Sequence, residues 1–114
     1  MKNITALLLV LFSNFTMAQW LTVSGPVKRI VTYAHTETIL VEVSDEDVGA
    51  GTCSNKKTFA ISSTMSEEGR ARMYAMLLSA QATGREVLVS YLDDGGCEAW
   101  FGAHDVYRRI TVLR

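Results

Sequence analysis

The chain has 114 residues, 48% of them hydrophobic, with 11 Lys and Arg against 12 Asp and Glu and a formal charge of −1. That length allows one domain with a modest core. The charge balance excludes a nucleic-acid or anionic-membrane binder that works by bulk charge.

The first segment has the order of a secretory signal peptide. Lys2 supplies the charge, 4–12 (ITALLLVLF) the short apolar core, and Thr16-Met17-Ala18 a small-residue exit. The apolar run is shorter than the roughly 20 residues a bilayer span needs. Cleavage after Ala18 is therefore expected, with a leader over 1–18, a single domain over 19–114, and no membrane span after processing. The product would be secreted or periplasmic. It loses only Lys2 among the charged residues, leaving 10 basic against 12 acidic and a net charge of −2.

A strand is expected over 27–34 (VKRIVTYA), entered through Gly25-Pro26. A second over 37–44 (ETILVEVS) places Ile39, Val41 and Val43 on one face. Only His35-Thr36 separates the two, so they should form a hairpin. Residues 45–55, rich in glycine and acid, read as a loop, and 57–62 (KTFAIS) as a third strand. A helix follows over about 66–83. Thr64 and Glu67 have capping-box spacing, Glu67 and Glu68 favour its first turn, and Gly84 sits where a left-handed cap belongs. A fourth strand covers 85–92. Asp93-Asp94-Gly95-Gly96 reads as a hairpin turn onto a fifth strand over 97–101, and a sixth covers 106–113. The sum is mainly β with one α-helix, in the order β-β-β-α-β-β(-β). A helix between the third and fourth strands of an antiparallel set suggests an OB-like barrel with the helix plugging one end.

Cys53 and Cys97 are the only cysteines. An even count in an exported chain reads as a disulfide. Closing a loop of about 45 residues contributes about 4 kcal/mol in the chain-entropy account. There is no Cys-x-x-Cys, and His35 and His104 lack zinc-like spacing to the cysteines. No metal or cofactor is expected.

The aromatic residues Trp20, Tyr33, Tyr91, Trp100 and Tyr107 suit contact surfaces, because OB-type barrels bind sugars or bases across such rings. Trp100 and Tyr91 flank the expected fourth-to-fifth strand hairpin and are ligand candidates, with Asp94 and His104 beside them. Asp93, Asp94, Glu98 and Asp105 also gather near these turns. They allow an alternative reading, a small hydrolase-like or inhibitor protein using the acidic edge near Asp93. Against it, Asp-Asp-Gly-Gly is turn chemistry, and His104-Asp105 lacks a nucleophile, so catalysis is not expected.

On a helical wheel, Ala71, Tyr74, Ala75, Leu78 and Ala82 form one apolar stripe. Met73, Met76, Leu77 and Ala80 form a second. A plug for one barrel needs a single stripe. The second would be covered by a segment around Trp20 or by another copy of the chain, giving a homo-oligomer.

Behind the leader, the run of Cys53, 57–62, 73–82, Thr83-Gly84-Arg85-Glu86-Val87 and Cys97 resembles the small exported B subunits of pentameric bacterial toxins, the subtilase-cytotoxin and pertussis-like group. The shared features are of layout: an early cysteine before strand three, then a helix followed by a short-turn hairpin. The resemblance implies a sugar-binding or oligomer-forming module without catalysis, with a glycan or an exported partner protein as its target. The same layout also fits short exported proteins that share only the fold. It places the toxin subunits' sugar-contacting serine on no one residue of this chain.

Overall fold

The computed structural model describes residues 20–43, 53–92 and 96–114. The expected leader, the Asp45–Asp47 part of the acidic loop, and Asp93 and Asp94 lie outside these residues. Among the described residues the protein is mainly β with one helix: β1 (Trp20–Pro26), β2 (Arg29–Thr32), β3 (Ile39–Glu42), β4 (Thr58–Ile61), α1 (Glu67–Thr83), β5 (Glu86–Leu92), β6 (Cys97–Trp100), β7 (Ala103–Arg109) and β8 (Val112–Leu113). They form two sheets, one in the order β1-β5-β8 and one in the order β2-β3-β4-β7-β6. The sheets are not closed on each other.

Where one strand over 27–34 was expected, the chain forms two: β2 falls within that span, and β1, ahead of it, was not expected. Leu21 and Val23 pack on the core while Trp20, Thr22 and Ser24 face outward, an alternation that begins well before residue 27. Pro26 ends β1 opposite Glu86. The chain then turns at buried Val27, and Lys28 N–H donates to Glu42 O at 2.7 Å to begin the other sheet. Gly25 permits the crossing, because a Cβ there would collide with the carbonyl of Val43. The last expected strand is likewise β7 then β8. Between them Ile110 N–H donates to Ala60 O in one sheet and Thr111 N–H to Ser90 O in the other.

The β2–β3 hairpin forms as expected, with Arg29 opposite Glu42 and Thr32 opposite Ile39. The second expected hairpin does not. β5 pairs with β1 and β8, whereas β6 pairs with β7. Val87, Val89 and Tyr91 are buried in the core, which holds β5 in the three-stranded sheet. The tight turn is instead Phe101-Gly102, with Trp100 opposite Ala103. Both turn residues have positive φ, 49° and 82°, as a two-residue type I′ hairpin requires.

The helix matches its expected span. Its N-cap is Ser66 rather than Thr64: Ser66 Oγ accepts from Gly69 N–H at 3.0 Å, while Thr64 hydrogen-bonds Ser62. Gly84 closes it in the left-handed conformation. The expected faces are exchanged. Leu77 and Ala80 are fully buried, Met73 and Met76 pack against the core, and Leu78 is exposed. The core takes the stripe with the larger side chains because alanines could not fill the same volume.

The Cys53–Cys97 disulfide is formed, with Cα atoms 5.7 Å apart. It ties the segment before β4 to the start of β6. Ser54 and Asn55 N–H groups reinforce the tie by donating to the carbonyls of Asp105 and Val106 at 2.8 and 2.9 Å. A formed disulfide fits an oxidising, extracellular-type compartment. No described helix is long and apolar enough to cross a membrane.

Candidate aromatic binding site

Strand alternation places Arg29, Val31 and then Tyr33 on the outer side of β2 and its loop. Their register partners extend that face: Arg29 lies opposite Glu42, Glu42 opposite Thr58, and Val31 opposite Leu40. Tyr107 of β7 and Trp100 of β6 continue it. The result is a groove of about 130 Å³ whose polar and aromatic walls include Arg29, Glu42, Asn55, Thr58, Tyr33 and Tyr107. Val31 and Leu40 form part of its lining as well.

At one end of this groove five rings meet. Trp100 is the hub, with ring centroids 5.2 Å from Tyr33, 5.4 Å from His35, 5.4 Å from Phe101 and 5.5 Å from Tyr107. All four of these contacts are edge-on, the arrangement that ring quadrupoles favour. His35 stacks on Phe101 at 4.7 Å. The type I′ turn lifts Phe101 out of the protein, leaving it 78% exposed, and Tyr33 is 44% exposed. Large rings that face water while packing mainly on one another are the mark of a contact surface rather than a core. Burial pushes the Tyr107 hydroxyl above its ordinary pKa, and neighbouring Tyr33 adds to the rise. The Tyr107 phenol is therefore a neutral donor at physiological pH.

Behind the rings lies a buried charge. Glu98 of β6 is 3% exposed. Its Oε1 accepts from Ser62 Oγ at 2.7 Å and Arg109 Nε at 2.8 Å. Its Oε2 accepts from Thr38 Oγ1 at 2.6 Å and from Ser63 N and Oγ, each at 3.0 Å. Burial alone would raise this carboxyl's pKa, but the hydrogen bonds from Thr38, the Ser63 backbone, Arg109 and Ser62 outweigh it and bring it down to about 2. Both oxygens are engaged by donors, so Glu98 has no proton to give near neutral pH and serves as an anchor. It fastens four pieces of chain: the β2–β3 loop through Thr38, the β4–α1 turn through Ser62 and Ser63, β6 itself, and β7 through Arg109. Three of those pieces, the β2–β3 loop, β6 and β7, carry the aromatic cluster.

The other sequence-derived candidates are dispersed. Tyr91 is 1% exposed, packed in the core with its ring 5.2 Å from Phe59 and beneath the Arg108 guanidinium at 5.6 Å, so it is not at the ligand surface. Burial raises its hydroxyl pKa, partly offset by Arg108. Arg108 is itself buried and donates to Leu92 O at 3.2 Å, bridging the two sheets. His104 is exposed on β7, next to Asp105, whose φ of 57° marks the bulge where β6 and β7 change register. Asp94 lies outside the described residues. Leu77 and Ala80 belong to the core and are unavailable to an interface. Trp20 is 54% exposed beside a shallow concavity of about 380 Å³ on the outer face of β1, β5 and β8. Among the described residues no three His, Cys, Asp or Glu side chains group as a metal site.

Phe101, His35 and the Glu98 donors Thr38, Ser62, Ser63 and Arg109 were not legible as site residues. Only Phe101-Gly102, an aromatic beside a glycine, carried a local signal. No protein-family model, curated protein or solved structure matches this chain.

Proposed function

We propose that the protein is an exported, non-catalytic binding module with an OB-like barrel, binding glycans through its aromatic surface and acting as a homo-oligomer in the manner of toxin B subunits. The barrel reading is supported by strand connectivity. β4 runs parallel to β7, β5 runs antiparallel to β1 and β8, and the chain passes directly from one sheet to the other at Val27-Lys28 and at Ile110-Thr111. Reading β1–β2 and β7–β8 as bent single strands gives the neighbour order expected of an OB barrel. The helix between β4 and β5 completes the OB order.

The observation that carries the function is the cluster of Tyr33, His35, Trp100, Phe101 and Tyr107 above a polar groove. It sits on the β2–β3 loop and the β6–β7 hairpin, the region corresponding to the ligand-binding loops of OB barrels. Rings that offer flat apolar faces beside hydrogen-bonding groups suit pyranose rings, whose faces are C–H and whose edges are hydroxyl. The net acidity of residues 19–114 weighs against nucleic acid as the target. Self-association is supported by the helix face left outside the core, where Ala71, Ala75, Leu78 and Ala82 are exposed. The test is a glycan array with the purified protein and its Phe101→Ala and Trp100→Ala variants. Binding that is present in wild type and falls at least tenfold in both variants is expected; binding unchanged in Phe101→Ala, a change at a largely exposed ring outside the core, would refute the aromatic site.

A further inference from the structure

Resting on the sugar-binding reading, we infer that the groove beneath the aromatic cluster is a subsite for one neutral sugar ring, with the Arg29–Glu42 ion pair as its specificity element. Arg29 Nε meets Glu42 Oε2 at 2.9 Å across the β2–β3 ladder. Both side chains line the groove, 68% and 23% exposed respectively. The pair contributes no net charge, yet it offers guanidinium N–H donors beside a carboxylate acceptor. A vicinal diol matches that arrangement, since one hydroxyl accepts from Arg29 while its neighbour donates to Glu42.

Asn55 adds a donor whose orientation is fixed. Its Oδ1 accepts from the N–H groups of Lys57 and Thr58 at 2.9 and 2.8 Å. The amide NH₂ is thus the group left for a ligand. Tyr33 and Tyr107 stand on the same lining and supply ring faces and hydroxyls. The volume of about 130 Å³, about four waters' worth, is too small for a sugar chain and seats one edge of a single ring, the rest of which stays above the groove. An anionic sugar fits less well. Its carboxylate would approach Glu42 and be repelled, and the Arg29–Glu42 pair carries no net positive charge to draw it in.

An isotope-labelled NMR titration reads the inference directly, using methyl β-galactoside, methyl β-glucoside, methyl α-mannoside and methyl α-sialoside. One or more neutral glycosides should shift the amides of Tyr33, Glu42, Asn55 and Tyr107, and the sialoside should not. Glu42→Gln keeps the side-chain shape and should weaken the neutral glycoside about tenfold or more, the expected loss of a hydrogen bond to a charged acceptor. Sialoside binding as tight as that of the neutral sugars, shifts confined to the Trp20 and Leu88 face, or a Glu42→Gln effect within twofold would each overturn the groove assignment while leaving sugar binding intact. Failure of every sugar, on the array and in the titration, would overturn the underlying reading instead.

Discussion

Replacing Glu98 with glutamine should destabilise the protein by about 3 kcal/mol at neutral pH, a size that follows from its hydrogen bonds. Thr38, Ser62 and Ser63 hydroxyls can rotate to suit a new partner, but Arg109 Nε–H on Oε1 and Ser63 N–H on Oε2 are fixed donors. A glutamine must turn its NH₂ toward one of them, so a donor faces a donor in either orientation. The cost of that conflict and of the lost charge is about 2–4 kcal/mol. The lowered pKa expresses the same hydrogen bonds and agrees in size: a drop from 4.5 to about 2 corresponds to about 3 kcal/mol of stability. Because the folded pKa is the lower one, this contribution is complete above about pH 4.5 and is lost as pH falls toward about 2. In a domain this small it should lower Tm by about 10–20 °C. Urea denaturation at pH 7 and pH 3, with the disulfide intact, measures both consequences: a lower midpoint at pH 7 and a shallower acid dependence in the variant. A Glu98→Gln protein within about 0.5 kcal/mol of wild type at pH 7, or one with the wild-type acid slope, would refute the anchor.

Three other outcomes are expected. Cys53→Ser should cost about 2–5 kcal/mol by chemical denaturation, and because the bridge precedes Glu98 by one residue it should also broaden the Trp100 and Phe101 NMR signals; unchanged spectra would separate the disulfide from the site. Leu78→Glu should convert an oligomer to monomer in light scattering at micromolar concentration without unfolding it, since Leu78 is outside the core; a wild-type monomer would remove the case for self-association. Mass spectrometry of exported protein should find Gln19 at the N-terminus, and an intact 1–18 segment would overturn the export proposal.

The parts of this fold legible in the sequence are those whose determinants lie close together in the chain. The acidic first turn and Gly84 bounded the helix to within a residue, and the alternation of Ile39, Val41 and Val43 oriented β3. Two cysteines admit one pairing. What was missed depends on distant partners. β1 is a seven-residue strand whose ladder mate, β5, lies 60 or more residues away. The Asp-Gly signal at 94–95 outweighed Phe101-Gly102 locally, although the buried side of β5 commits that strand to the other sheet. The helix is apolar on both sides, so the wheel could not choose its inner face; side-chain volume chose it.

The site is harder still, because its rings come from 33–35, 100–101 and 107, and nothing in any one segment announces the others. Glu98 makes the point most sharply. Within Cys97-Glu98-Ala99-Trp100 an acid reads as the solvent side of a strand, yet here it is buried because loops separated by 35 to 60 residues each bring it a donor. This arrangement explains how an exposed cluster can hold its shape. Rings that pack chiefly on each other gain little from burial and would otherwise drift with their loops. Tying the β2–β3 loop and the β6–β7 hairpin to one buried carboxylate, with a disulfide one residue away, sets the rings in advance. The ordering cost of binding is then met by folding rather than by the ligand. Loss of the Glu98 anchor should therefore weaken glycan binding even in a variant that stays folded, and the Glu98→Gln protein assayed well below its Tm separates that effect from instability.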